Sequence, residues 1–181
     1  MQDVMIDIET LGREAGCVVL SIGATEFYKN GVGDGVNILI DVEESVTACG
    51  LKLEPATVLW WFTQSKEAQN AVINAQGREP LDDCLIRFND FLHPGNKRVW
   101  CNGAAFDFPI LKGLYKASGR EPAWMYYNEM DFRTIKGLVG KDAMKQHQCK
   151  PTIAHDGLAD AIAQAQTLIN LHNAGLVKVW S

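Results

Sequence analysis

Val4-Met5-Ile6-Asp7-Ile8-Glu9-Thr10 is an apolar run interrupted by two acids. Val4 to Ile8 is too short for a well-formed helix start and is bounded by Gly12, so it reads as a buried strand. Side chains alternate across a strand, which places Asp7 and Glu9 on the same face. Two carboxylates so placed repel each other and lose their hydration, which is unfavourable unless a cation or a network of donors stands between them. A divalent metal is the simplest remedy. The plain alternative is a strand end whose acids point into water, where most acids lie.

The chain on either side of Gly12 sets this strand in a sheet. Gly12 to Gly16 reads as a turn, Cys17 to Tyr28 is rich in β-formers with Gly23 inside, and Asn30-Gly31-Val32-Gly33 is a hairpin signal before an extended Val36 to Val42. Three consecutive strands joined by short turns form an antiparallel meander. From Leu53 to Ala75 the pattern becomes helical, with Pro55 suited to a first turn. There Val58, Leu59, Trp61 and Phe62 cluster on one side and Trp60 on the other. Gly77 to Pro80 breaks that pattern, and Leu81 to Leu92 is a second amphipathic helix stopped by Pro94-Gly95.

Arg98 to Cys101 is a short strand ended by Asn102-Gly103, followed by a helix with Pro109 in its first turn and Gly119 just past its end. Ile110, Leu111 and Leu114 share one face of that helix. Met125 to Met130 reads as a strand, Asp131 to Val139 as a short helix, and Gly140 to Pro151 as polar and irregular. Asp156 caps a last helix running to about His172, with Leu158, Ile162, Ala165 and Ile169 facing inward. A meander followed by strands alternating with helices predicts an α/β fold, a mixed five-stranded sheet flanked by helices, in a single domain over residues 1–181. The strand near Val99 is expected beside the first, its C-terminal end close to Asp7 and Glu9.

With 181 residues and 47% hydrophobic content, the chain can bury a sizeable core. It has no membrane-length apolar run, and its N-terminus lacks a basic segment followed by an apolar one, so a cytoplasmic location is expected and no membrane partner. Its five cysteines are widely spaced, with no Cys-x-x-Cys, so reduced thiols are expected. A net charge of -5 excludes a fold that is basic all over; any polyanion must be gripped locally, or through metal ions that reverse the sign of an acidic pocket.

Two more acids stand at helix starts. Asp107 follows the Arg98 to Cys101 strand at the entrance to a helix, where a capping role is the simple reading. Asp160 lies one turn into the last helix. On a continuous helix His155 and Asp160 are about 140° apart, so they share a site only if His155 belongs to the loop before an Asp156 cap.

Taken together, Asp7-Ile8-Glu9-Thr10, Asn102-Gly103-Ala104-Ala105-Phe106-Asp107 and His155-Asp156-Gly157-Leu158-Ala159-Asp160 occur in the order of three family motifs. The set resembles the DEDD exonucleases in the branch with a catalytic histidine, DEDDh, a group similar to the proofreading subunit of bacterial replicative polymerase. The sister branch has tyrosine four residues before its last aspartate, whereas Asp156 occupies that position here. Trp60-Trp61 followed by Gln64-Ser65 is similar to the bacterial and phage subgroup described as exodeoxyribonuclease VIII-like or exoribonuclease-like.

That resemblance implies a ribonuclease H-like fold and 3′-to-5′ exonuclease activity yielding nucleoside 5′-monophosphates. It implies that Asp7, Glu9, Asp107 and Asp160 hold two Mg²⁺ or Mn²⁺ ions about 4 Å apart. Hard, oxygen-seeking cations suit an all-carboxylate site. His155 would take a proton from water, since imidazole, with a reference pKa of about 6.5, can serve as a base near neutrality. Thr10 and Leu11 would contact the terminal nucleotide, partly through backbone groups. Phe106 would pack on its base or sugar, Asn102 would order the second motif or touch substrate, and Trp60 would stack on a base.

The competing readings are a catalytically idle nucleic-acid-binding module of the same fold and a related phosphodiesterase acting on short oligonucleotides. The expected partner is the 3′ end of DNA or RNA, expected to be single-stranded. The choice between DNA and RNA and the oligomeric state, a homodimer included, stay open at this stage.

Overall fold

The acid-bearing stretch is strand β1 (Asp3–Thr10), and it occupies the centre of a five-stranded sheet ordered β3-β2-β1-β4-β5. The computed structural model describes residues 3–92 and 97–180, so the stop expected at Pro94-Gly95 lies outside the described residues. β2 (Val19–Tyr28) pairs antiparallel with β1, and β3 (Gly31–Leu39) antiparallel with β2. β4 (Arg98–Cys101) runs parallel to β1 with Ile6 level with Cys101, and β5 (Glu129–Asp131) runs parallel to β4. The sheet is mixed, as its pattern predicts, and β4 ends beside Ile6, next to Asp7.

Alternation along β1 assigns its two faces. Val4, Ile6 and Ile8 enter a core built with Trp61 of α2 (Pro55–Trp61), Leu85 and Phe88 of α4 (Leu81–Leu92), and Leu111 and Leu114 of α5 (Asp107–Ser118). Met5 enters a second core with Phe132 of α6 (Phe132–Val139), Met144 of α7 (Lys141–His147), and Leu168 and Ile169 of α8 (Gly157–Asn173). Each fully buried Leu, Ile or Phe contributes roughly 1.5–3 kcal/mol by leaving water. Asp7 and Glu9 follow Met5 on the face crossed by α8.

One close contact fixes how α8 meets this face. Gly23 of β2 is level with Asp7 of β1, and a Cβ built on it would lie 1.9 Å from the carbonyl carbon of Gly157. A Cβ on Gly157 would in turn lie 3.1 Å from the Asp7 carbonyl oxygen. Two glycines let the first turn of α8 rest directly on the sheet beside Asp7. The interior glycine of a strand-like sequence thus marks a backbone approach.

Several elements differ from expectation. Val42 starts a helix, α1 (Val42–Thr47), because the Asp41 side chain accepts the Glu44 N–H at 2.8 Å and ends the strand pattern. The expected Leu53 to Ala75 helix is split into α2 and α3 (Lys66–Val72), since Ser65 caps the second piece by accepting the Ala68 N–H. Trp61 is buried, but Leu59 and Phe62 are 66% and 72% exposed, so the single apolar face expected for them does not exist. Tyr126–Asn128 form a 3₁₀ turn before β5, and Lys141–His147 of the stretch read as irregular form α7. In α8 the inward row is Ala161, Ala165, Leu168 and Ile169, while Ile162 is exposed. All five cysteines are free thiols. No described helix is long and apolar enough to cross a membrane.

Candidate active site

Two acids on one strand do not by themselves make a reactive site, as Asp3 shows. It lies on the same face of β1 and is fully buried, yet Arg98 donates two hydrogen bonds to it (2.6 and 2.9 Å), and the Trp100 and Trp180 indoles donate at 2.8 and 2.7 Å. Asp3 is the donor-satisfied case, a structural ion pair. Asp7 receives one hydrogen bond, from Gln164 Nε2 at 2.8 Å, and its other near neighbours are acids.

Asp7, Glu9, Asp107 and Asp160 all line one cavity of about 420 Å³, together with His155 and Asn102. β1 supplies the first two, the start of α5 supplies Asp107, and the first turn of α8 supplies Asp160. Burial, then the Asp107 charge, raises the Asp7 carboxyl well above its ordinary value. Burial and Asp7 push Glu9 up to about 9. Burial pushes Asp107 up to about 7, partly offset by a hydrogen bond from the Cys101 thiol. Asp160 is raised by burial and lowered in part by the His155 N–H, which donates to its Oδ2 at 2.9 Å. Four carboxyls that resist ionising together outnumber the one fixed cation on the cavity lining, Arg133.

His155 stands in the loop before α8, with Asp156 as the helix cap. Its φ of +62° is left-handed, an uncommon conformation for a side-chain-bearing residue, and it aims the imidazole back toward the sheet. The ring sits edge-on to Trp60, centroids 5.1 Å apart, and 6.2 Å from Trp61. One ligand atom each of Glu9, His155 and Asp160 lie within 4.8 Å of one another. Asn102 Oδ1 and Gln164 Oε1, both of residues lining the cavity, are buried acceptors without a hydrogen-bond partner. Oxygen-rich donors, mutual repulsion and two orphaned acceptors fit hard divalent cations.

A second cavity of about 400 Å³ opens beside the acids and shares Ile8, Glu9 and Phe106 with the first. Thr10, Arg13, Ala56, Thr57 and Trp60 complete its wall. Trp60 is 41% exposed, whereas Trp61 is buried and donates its indole N–H to the Thr10 carbonyl at 2.9 Å. The Thr10 hydroxyl donates to the Gly12 carbonyl at 2.6 Å. Leu11 is not brought to either cavity: its side chain is buried, its N–H donates to Val18 O at 2.9 Å, and its carbonyl accepts from Glu54 N at 2.7 Å.

Two polar residues of the acid cavity escaped the reading of the sequence, Gln164 and Arg133. Gln164 is one turn beyond Asp160 on α8 and so shares its face, a signal missed by a search for ionisable groups alone. Arg133 follows the Asp131 cap of α6 and donates to the Asn102 carbonyl at 2.9 Å, holding the second motif.

A mixed sheet of this order, flanked by helices and gathering acids at the ends of adjacent parallel strands, is the ribonuclease H-like fold of 3′-to-5′ exonucleases. The chain belongs to the family described as 3′-5′ exoribonuclease Rv2179c-like domain, whose model matches residues 2–171. That places it among the DEDDh-like 3′-to-5′ exonucleases. An exodeoxyribonuclease of Enterobacteria phage T4 is 28% identical over a 169-residue alignment, covering 77% of this chain and 73% of the phage protein. The zinc-bound E. coli Exonuclease I complex with single-stranded DNA superposes with a TM-score of 0.68 at 15% identity, over 97% of this chain. Cell-death related nuclease 4 superposes with a TM-score of 0.65 at 15% identity, over 96% of this chain and 64% of its own. This chain spans 42% of the length of Exonuclease I.

Proposed function

We propose that the chain removes nucleoside 5′-monophosphates one at a time from the 3′ end of a single nucleic-acid strand. Asp7, Glu9, Asp107 and Asp160 would hold two divalent cations, Mg²⁺ or Mn²⁺, and His155 would act as general base. The observation that carries this reading is the enclosure of four mutually repelling carboxyls in one cavity with a histidine on its rim. When bound, the cations would make water more acidic and stabilise the negative charge on the leaving 3′ oxygen.

His155 would accept a proton as the water oxygen bonds to phosphorus. The bond between phosphorus and the 3′ oxygen of the shortened strand then breaks, and that oxygen takes up a proton from solvent. Thr10, Phe106 and Trp60 would seat the terminal nucleotide in the second cavity, with Trp60 offering a stacking face. Leu11 would support Thr10 from beneath, because its own backbone groups are already engaged. Asn102, with an orphaned acceptor on the cavity wall, would bind a substrate donor or an ordered water.

The family is described as exoribonucleases and the phage relative as an exodeoxyribonuclease, so matched DNA and RNA oligonucleotides are the direct test. A 3′ label should appear at once in mononucleotides and a 5′ label in a descending ladder. Chelation should stop both, and Mg²⁺ or Mn²⁺ should restore them. Internal cuts, or full activity in excess chelator, would overturn the reading.

A further inference from the structure

The acid cavity has a positively charged neighbour. Residues 133–150 contain five cations, Arg133, Lys136, Lys141, Lys145 and Lys150, and one acid, Asp142, in a chain of net charge -5. The first four line a cavity of about 620 Å³ between α6 and α7, with Met144 at its base. Among the described residues none of these four is in an ion pair. Lys136 lies over the Phe132 ring at 5.4 Å, and its pKa is lowered by burial and by Arg133, while Asp131 and Asp7 pull it back up. Like charges gathered with no ion-pair partner favour an anion, as the acids favour a cation.

The three cavities form a series. The Trp60 cavity shares Ile8, Glu9 and Phe106 with the acid cavity, and the acid cavity shares Arg133 with the basic one. A strand whose last nucleotide sits against Trp60 and whose terminal phosphodiester lies over the acids must leave by one of the remaining sides. The basic side is complementary to its charge.

We propose that Lys136, Lys141 and Lys145 form a phosphate-binding cleft for the strand on the 5′ side of the scissile bond, making this cleft the determinant of substrate length. The inference rests on the exonuclease reading above. Substrates with one phosphate gain nothing from the cleft, and oligonucleotides several residues long gain affinity and a strong salt dependence.

The test is the triple variant Lys136→Gln, Lys141→Gln, Lys145→Gln beside a triple Lys→Arg variant. With a single-stranded 12-mer, the Gln variant should show KM raised about tenfold or more with kcat near the parent value. With the p-nitrophenyl ester of thymidine 5′-phosphate it should match the parent, and the Arg variant should match the parent on both. Binding of a labelled 12-mer in EDTA, read by fluorescence anisotropy, should show a salt slope smaller by about 2, near 0.7 per lost contact. Unchanged KM and slope on the 12-mer would overturn the cleft, as would equal losses on the ester and the 12-mer. Unchanged 12-mer binding with lost binding of a poly-glutamate peptide would overturn it in favour of a protein-docking surface. If the parent releases no mononucleotides, the exonuclease reading fails, while the anisotropy slopes still judge the cleft.

Discussion

His155 occupies a position from which two roles are within reach. Its ring nitrogen lies close enough to Glu9 and Asp160 to share a cation with them, and the residue also lines the cavity that holds the four acids. If it is the base, His155→Ala slows single-turnover hydrolysis by roughly 100-fold to 10,000-fold. Mn²⁺ affinity measured by calorimetry then stays near the parent value; a collapse of that affinity would make the residue a ligand. Trp60 and Trp61 give a second residue-scale contrast, since only Trp61 is buried and hydrogen-bonded. Trp61→Ala should destabilise the fold by about 3–5 kcal/mol in urea melts. Trp60→Ala should leave stability nearly unchanged and weaken oligonucleotide binding by about 1–3 kcal/mol. The different burial of these indoles was legible from helical angle, because adjacent helix positions diverge by about 100°. The exposure of Leu59 and Phe62 was not: α2 is short, and only one side of it meets the core.

Among the elements, α8 carries the most geometric consequence, because its first turn is fixed by contact between Gly23 and Gly157. Gly23→Ala would drive a methyl group into backbone that has no side-chain end to yield, so it should cost more than the usual 1–3 kcal/mol of overpacking, about 3 kcal/mol or more. Chemical denaturation measures that loss, and turnover should fall further than stability explains, as Asp160 and His155 are displaced from β1. A Gly23→Ala protein with parental activity would show that α8 does not depend on this contact for its seat. The strands and the longer helices were readable because period and turn residues agree along them. The break between α2 and α3, the start of α1 and the existence of α7 were not, because each depends on a local cap or on packing of one residue, such as Met144, that a window of sequence averages away.

For the whole molecule, the gathered acids couple stability to pH and metal. In the metal-free protein Glu9 is raised from 4.5 to about 9, largely by burial and then by Asp7, and Asp107 is raised from 3.8 to about 7. A carboxyl whose folded pKa is raised keeps its proton in the fold, so its stabilising contribution is complete below the unfolded pKa and is lost as pH rises toward the folded value. In EDTA, melting temperature should therefore fall steadily from about pH 5 to about pH 9. Mg²⁺ or Mn²⁺ should reverse the loss by binding the folded state alone. Asp7→Asn should flatten the metal-free dependence while abolishing turnover; a slope as steep as the parent's would place the coupling elsewhere. The acids themselves were legible as a set because three separated motifs shared one order. Their electrostatic condition was not, since burial is a property of the assembled sheet.

The same dispersal along the chain has a consequence in time. Asp7 is made before Asp107, and Asp107 before Asp160 and His155, and that last pair stands at the start of α8, which rests on Gly23. A partly synthesised chain, or one cut before α8, carries acids but no complete site. The site is in this way incomplete until α8 is seated on the sheet.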